Sequence, residues 1–580
     1  ETNCDNQGER HVARLRVLLA NEEDMDLITG MDNVFTRHDT LGVYSLLPEI
    51  KMPRLLLKTG VQEQKNPPKI DLTALLDLDV FRKDLVIDTA SLTKGLTSQK
   101  TSSGTESIKE NTIFKNLTSI ANVLSVTFVG SFAECKDLSG ISDIDTVVIC
   151  DHLTEDVFNS CMVAVGSINL SELGLQEYIL KINSSFGPLK FDEQNLVVIH
   201  LMVYDLQSHR QHVILSPFTC LDWERSENVV GIRLQQIFPV GRLQPRDFME
   251  ARRGIENYLS DIKNGCVSYR AYAFYKSYVS EVKQSHPLDE RHQGEYAFHI
   301  VKYLLLNVLK LMHGKNCLFS EMEVVATIKK LLDSGSLDHL EKFKMIAELK
   351  QRRSLKYPDW VIDWTSDFVT EFQSGFIKHW KKAKTVYFVR HARTSLNDGT
   401  FLGVNRDPEV KESHLPKTLE LEIDTIYSSP ALRATQTAKA LCPKKGINQE
   451  ESLREIDYGK AEGMTYEDLR VNYPELISAW SNGEDPSFPG GGENSSCVLA
   501  RLKKFMKTLS LNALSTTLVV SHNVVLRCLI GDAHALPPQN WHRLKIPHSV
   551  LLEFKLLEGK YYPNIPRTLL GETFSNLQGA

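Results

Sequence analysis

Four short blocks in the last third of this 580-residue chain carry residue types that can handle a phosphoryl group. The first is Arg390-His391-Ala392-Arg393-Thr394, which follows the apolar run Thr385–Val389. Next come Ser428-Ser429-Pro430-Ala431-Leu432-Arg433-Ala434, then Leu453-Arg454-Glu455 with Gly459 and Glu462-Gly463, and last Val519-Val520-Ser521-His522. Arginine offers a rigid fork of donors that fits phosphate oxygens bidentately, and Arg390 and Arg433 suit that role. A neutral imidazole can attack phosphorus in line and divide a hydrolysis into two easier displacements.

Taken in order from about Thr385 to about Tyr562, these blocks resemble the histidine phosphatase superfamily, also called phosphoglycerate-mutase-like. The Arg-His pair looks like its RHG motif, SSPxxRAxQTA like its second-arginine helix, LREIDYGKAEG like its acid loop and VVSHN like its second-histidine strand. The resemblance implies that His391 accepts the phosphoryl group, that Glu455 is the general acid, and that His522 is a further donor to the growing charge. Thr394 and Asn397 are expected as additional phosphate contacts, and no metal or other cofactor is implied for this site. Ala392 stands where the motif has Gly, and Asn523 where Gly is frequent. Arg393 replaces the Glu usual in the mutases, which favours a phosphatase over a phosphomutase and an anionic substrate. The stretch 482–494, NGEDPSFPGGGEN, reads either as a substrate-proximal insert or as a solvated loop.

A second constellation lies upstream. After SVTFV comes Gly130-Ser131, and after a spacer comes Asp143-Ile144-Asp145 at the head of DTVVIC, where strand alternation turns both carboxylates to one side. Two carboxylates so placed can hold a divalent cation. The arrangement resembles the nucleotidyltransferase domain of the DNA polymerase beta superfamily. That resemblance implies Mg2+ on Asp143 and Asp145, and the phosphates of an NTP at Gly130 and Ser131. The family's third acid is expected on the strand Val197–Val203, where His200 stands instead, flanked by Asp192 and Asp205 as substitutes.

The elements that must position these groups follow from pattern. Ser125–Val129, Asp145–Cys150 and Asn195–Tyr204 read as buried strands of an α+β nucleotidyltransferase-like domain over 109–243. From 244 to 383 apolar residues recur at three- and four-residue spacing, which predicts a helical domain. From 384 to 580 strand and helix alternate, as in a three-layer α/β histidine-phosphatase domain. The Ser/Thr/Lys/Gly-rich stretch 92–108 reads as a flexible linker, and 1–91 shows no sustained periodicity.

Composition narrows the alternatives. A net charge of −6 gives no global basic field for nucleic acid, although a local groove for RNA stays open. Ten cysteines without a CxxC pair or a finger-like spacing argue against both a zinc module and a disulfide scaffold, and fit a reducing, cytoplasmic setting. No run is long and apolar enough to span a bilayer, so no membrane partner is expected. The expectation is a bifunctional enzyme, joining an Mg2+-dependent nucleotidyltransferase half to a phosphatase half, acting on a phosphorylated small molecule, nucleotide or RNA end. The alternatives are a phosphatase whose transferase half only binds nucleotide or RNA, and a phosphomutase.

Overall fold

The computed structural model describes residues 112–130, 143–173, 178–183, 196–275, 278–314, 329–332, 336–351, 354, 356–512 and 515–577. The segment 1–91 and the expected linker 92–108 lie outside them. The chain divides into two compact units, one running up to His209 with Asp222–Arg233 and Arg253–Gly375, the other comprising Arg210–Leu221, Leu234–Arg252 and the residues from Phe376 onward.

In the first unit, strands β1 (Val123–Val129), β2 (Asp143–Cys150), β3 (Ile179–Asn183), β4 (Leu196–Asp205) and β5 (Val229–Gly231) form one sheet in the order β3-β4-β2-β1-β5. β2 pairs antiparallel with β1 and parallel with β4, in a register that sets Asp145 opposite His200. β4 is central and covered, so both of its alternating sets of side chains are apolar and buried, from Val197 to Tyr204, with His200 the polar exception. Helices α1 (Thr112–Thr118) and α2 (Glu155–Gly166) supply Ile113, Phe114, Leu117, Phe158, Cys161 and Val165 to this core. Thr154 caps α2 by accepting the Val157 N–H.

Helices α3 (Ile255–Lys263), α4 (Glu290–His313), α5 (Ser336–Gln351) and α6 (Val361–Trp380) appear in the region expected to be helical. The expectation fails at β6 (Cys266–Tyr275) and β7 (Tyr278–Pro287), which pair as a long antiparallel hairpin. The physical reason is visible in VSYRAYAFY, whose Val, Tyr and Phe residues suit a pleated surface better than a helix. The apolar stretch MEVVATIKKLLD, also expected as a helix, lies largely outside the described residues.

In the second unit, β8 (Lys384–Arg390), β9 (Thr425–Ser428), β10 (Ile447–Gln449), β11 (Thr516–Ser521), β12 (Leu552–Leu557) and β13 (Lys560–Pro563) form a six-stranded sheet in the order β10-β9-β11-β8-β12-β13. The first four are mutually parallel, and β12 and β13 close one edge antiparallel. Helices α7 (Leu432–Leu441), α8 (Ser495–Asn512) and α9 (Asn523–Ala533) connect or flank these strands. β8 and β11 are central neighbours with Arg390 opposite Ser521, so the next residue of each, His391 and His522, emerges at the same edge of the sheet. Open parallel sheets build their sites at such carboxyl ends.

The second unit also takes in residues 234–252, upstream of the stretch expected as the phosphatase domain. Arg567, nearly buried, donates to both carboxylate oxygens of Asp247 at 2.7 and 2.8 Å and to the carbonyls of Val240 and Arg242 at 2.5 and 2.8 Å. These bonds make the segment 234–252 part of the second unit.

Candidate active site

His391 is 2% exposed, and its own N–H donates to the Ser521 carbonyl at 3.0 Å, which fixes the backbone where β8 ends. Its Nδ1 lies 2.8 Å from the Ala392 carbonyl, an acceptor only, so Nδ1 carries the proton and Nε2 keeps a free lone pair. Burial, followed by the charge of Arg433, holds this imidazole well below the ordinary histidine range. A neutral ring with a bare Nε2 is the form in which histidine is a nucleophile.

His522 is fully buried, and its ring centroid stands 5.1 Å from that of His391. Its Nε2 lies 2.7 Å from Ser429 Oγ, and Ser429 Oγ accepts the Ala431 N–H at 3.3 Å. His522 Nδ1 is buried with no protein partner, and the tautomer that presents Nδ1–H to a phosphate oxygen is the one in which the serine hydroxyl donates to Nε2. Burial and then Arg433 depress this ring too. His548, whose Nδ1 lies 2.7 Å from the His391 carbonyl, stands on a third side of His391 at 5.5 Å between centroids. Burial, then Arg390, lowers it to about 4.

The two arginines are anchored at one end and unpaired at another. Arg390 donates through Nη1 to the Ile546 carbonyl at 2.8 Å, while its Nε is buried without an acceptor. Arg433 donates to the carbonyls of Gly403 and Arg406 and to Asp407 Oδ1 at 3.1 Å, and its Nε is likewise buried and unpaired. Burial is the main cause that lowers both guanidinium groups, Arg390 to about 10, and both act electrostatically on His391 and His522. An unpaired buried donor costs on the order of 1–3 kcal/mol, and three of them around one imidazole, Arg390 Nε, Arg433 Nε and His522 Nδ1, suit the oxygens of a phosphoryl group.

Glu455 lies at the amino end of α9. Its Oε1 accepts the N–H groups of Ile456 and Val524 at 3.0 and 3.1 Å, and Oε2 accepts that of Asn523 at 3.1 Å. Burial nevertheless raises its carboxyl above the ordinary range, outweighing these bonds and the pull of Arg433 and Arg390. A carboxyl that holds its proton longer than usual is suited to general acid work. Arg501 steadies its loop, donating to the carbonyls of Ser452, Arg454 and Glu455 and to Glu493 of the 482–494 stretch. That stretch is thus folded against the acid loop, with Phe488 packed on Phe401 and Tyr458.

The remaining sequence candidates fall in three places. Thr394 and Asn397 bond to each other, the Asn397 Oδ1 accepting from the Thr394 N–H and hydroxyl at 2.8 and 3.2 Å, and so shape the turn after His391. In the first unit, Gly130 follows β1 at φ +70°, and a Cβ there would meet Asp145 Oδ2 at 2.4 Å. Asp145 Oδ1 stands 3.3 Å from His200 Nδ1, and His200 Nε2 stands 3.3 Å from Asn183 Nδ2. Asp205, considered as a substitute acid, sits opposite Cys150, five residues along from Asp145, and accepts from Ser208 at the start of the next helix. It does not join the Asp145 site, because capping that helix uses its carboxylate. Ser131, Asp192 and the Asp143 side chain lie outside the described residues. Among the described residues Asp145 pairs with the imidazole of His200, which stands where a third acid is expected.

Sequence reasoning missed Ser429, Asp407 and His548, which contact His522, Arg433 and His391. Ser429 lay inside the quoted SSP block, whereas nothing local marked the other two.

Residues 386–562 match the model of the histidine phosphatase superfamily (branch 1). Over 152 residues the chain is 32% identical to phosphoserine phosphatase 1 of Hydrogenobacter thermophilus, covering 24% of this chain and 72% of that protein. The chain belongs to the histidine phosphatase superfamily. Within the superfamily it is also 29% identical over 182 residues to fructose-2,6-bisphosphatase of Saccharomyces cerevisiae, covering 30% of this chain. The chain spans 39% of the length of that relative. Among solved structures, the alpha-ribazole phosphatase from Shigella flexneri is similar at 21% identity and a TM-score of 0.29, covering 31% of this chain and 95% of that one. The superfamily match lies in the second unit, and the nucleotidyltransferase expectation for the first finds no support in these comparisons.

Among the described residues, no helix is long and apolar enough to cross a membrane.

Proposed function

We propose that the second unit is a phosphatase that cleaves phosphoric monoesters of anionic small molecules through a phosphohistidine on His391. The observation that carries this reading is the set of three unpaired buried donors, Arg390 Nε, Arg433 Nε and His522 Nδ1, around a neutral imidazole with its Nε2 lone pair free. In the first displacement Nε2 of His391 attacks phosphorus, the P–O bond to the leaving group breaks, and Glu455 protonates the departing oxygen. In the second, Glu455 takes a proton from water as it attacks phosphorus, the P–N bond breaks, and inorganic phosphate leaves. The fixed donors bind the equatorial oxygens most strongly where charge develops, with no reorganisation at the moment of reaction.

The names of the relatives, a fructose-2,6-bisphosphatase and a phosphoserine phosphatase, set the substrate classes to try first. A panel of sugar phosphates, sugar bisphosphates, phosphoserine, nucleotides and RNA termini, offered to the full chain and to His391→Ala, tests the proposal. Release of phosphate that disappears in the variant supports it, and release unaffected by the variant overturns it. Exchange of phosphate between positions of one substrate would instead support a phosphomutase.

For the first unit, the Asp145–His200 pair favours the reading in which it binds nucleotide or RNA without transferring anything. The competing reading keeps Mg2+ on Asp143 and Asp145 and an NTP at Gly130 and Ser131. Full-length His391→Ala incubated with labelled NTPs, magnesium and candidate acceptors separates the two. Transfer that is lost in Asp143→Ala establishes the active transferase and removes the binding-only reading.

A further inference from the structure

We propose that His286, Asp289 and His292 form a binding site for one divalent transition-metal ion of the zinc class. His286 lies near the end of β7, Asp289 is the N-cap of α4, and His292 sits in the first turn of that helix. One ligand atom from each lies within 4.8 Å of the other two, and the imidazole centroids are 4.6 Å apart.

The hydrogen bonds assign the lone pairs. His286 Nδ1 lies 2.8 Å from the Pro287 carbonyl and so carries a proton, which leaves Nε2 as a ligand. An imidazole that donates one N–H to a carbonyl while the other nitrogen faces outward is the usual outer-shell arrangement of a metal-bound histidine. His292 Nδ1 lies 2.5 Å from Asp289 Oδ1, so Nδ1 carries the proton that the carboxylate accepts. A metal takes the place of that proton, which passes to Nε2 of the same ring. Asp289 Oδ1 also accepts the His292 N–H at 3.0 Å, so the carboxylate is held in position by the helix it caps.

Chemistry selects the ion. Two imidazoles and one carboxylate suit zinc, cobalt or nickel, whereas magnesium and calcium prefer oxygen ligands throughout. Bond lengths near 2.0–2.2 Å place tetrahedral donors roughly 3.3 Å apart, so the widest separation closes by roughly 1.5 Å, within reach of a rotation of the partly exposed His286. His292 is 2% exposed and the Asp289 side chain 47% exposed, so the site has a buried wall and an open side. Three protein ligands leave the fourth tetrahedral position to water. The ion would tie the end of the β6–β7 hairpin to the start of α4 across Pro287 and Leu288.

The test uses the full chain stripped with a chelator, then titrated with Co2+ while visible d–d absorption is recorded, and with Zn2+ in competition with a chromophoric chelator. His286→Ala removes a ligand from a partly exposed position. Asp289→Asn removes the carboxylate but keeps a good N-cap, so α4 remains capped. The expected result is one equivalent of tetrahedral Co2+ in the parent protein, displaced by Zn2+, with affinity reduced roughly tenfold or more in each variant while far-UV circular dichroism is unchanged. Absence of a tetrahedral Co2+ spectrum in the parent, or an equivalent that persists undiminished in both variants, overturns the proposal.

Discussion

Ser429 Oγ stands 2.7 Å from Nε2 of His522, where two neighbouring strands end, and a serine hydroxyl that donates there leaves the imidazole proton on Nδ1. With Nε2 accepting, Nδ1–H is held as a fixed donor. Ser429→Ala removes this control, and kcat is expected to fall by about tenfold, less than the hundredfold or more that follows removal of a transition-state donor itself. Steady-state kinetics on the best substrate of the panel checks this, and an unchanged kcat would remove Ser429 from the mechanism.

The pH dependence follows from two displaced titrations. His391 is depressed, so it stays neutral well below the ordinary histidine range and loses activity only as acid protonates it. Glu455 is raised, so it keeps its leaving-group proton above the ordinary carboxylate range and loses activity as rising pH removes it. The plot of kcat/KM against pH is therefore expected to be a bell, its acid limb set by His391 and its alkaline limb by Glu455. Glu455→Gln should abolish the alkaline limb and lower kcat by about 10²–10⁴. An alkaline limb that survives in this variant would assign it to another group.

Arg433 combines a buried Nε with anchoring bonds to Gly403, Arg406 and Asp407. Lysine keeps the charge and loses the fork, so Arg433→Lys is expected to cost about 10²–10³ in kcat/KM. A loss confined to KM would mean that the guanidinium binds the ground state only.

Stability of the second unit should depend on a pair far from His391 in sequence. Arg567→Ala leaves the Asp247 carboxylate buried and uncompensated, an effect of about 3–5 kcal/mol. Denaturant unfolding measures it, and a change below about 1 kcal/mol would show that water replaces the lost fork.

The candidate phosphate site was legible because its residues are concentrated at strand ends. Arg390-His391 and Ser521-His522 each follow a short apolar run, and Arg433 and Glu455 stand in distinctive local contexts. His548 was not legible, since it meets His391 across 157 residues of sequence, through a bond to the His391 carbonyl and an edge-on ring contact. The β6–β7 hairpin was lost to its helical neighbours, although its Val, Tyr and Phe content carried the signal. Asp247 and Arg567 are 320 residues apart, so no local pattern announces their pairing. His286, Asp289 and His292 straddle the end of a strand and the first turn of a helix, so no spacing within one element marks them.

Trapping the covalent intermediate is the most direct measurement of all. Rapid mixing of the full chain with a labelled substrate, quenching in alkali and mass spectrometry of the peptides should reveal one acid-labile phosphoryl group on His391, formed and consumed at rates compatible with turnover. Turnover with no such adduct, or with the adduct on a different residue, would contradict phosphoryl transfer through His391.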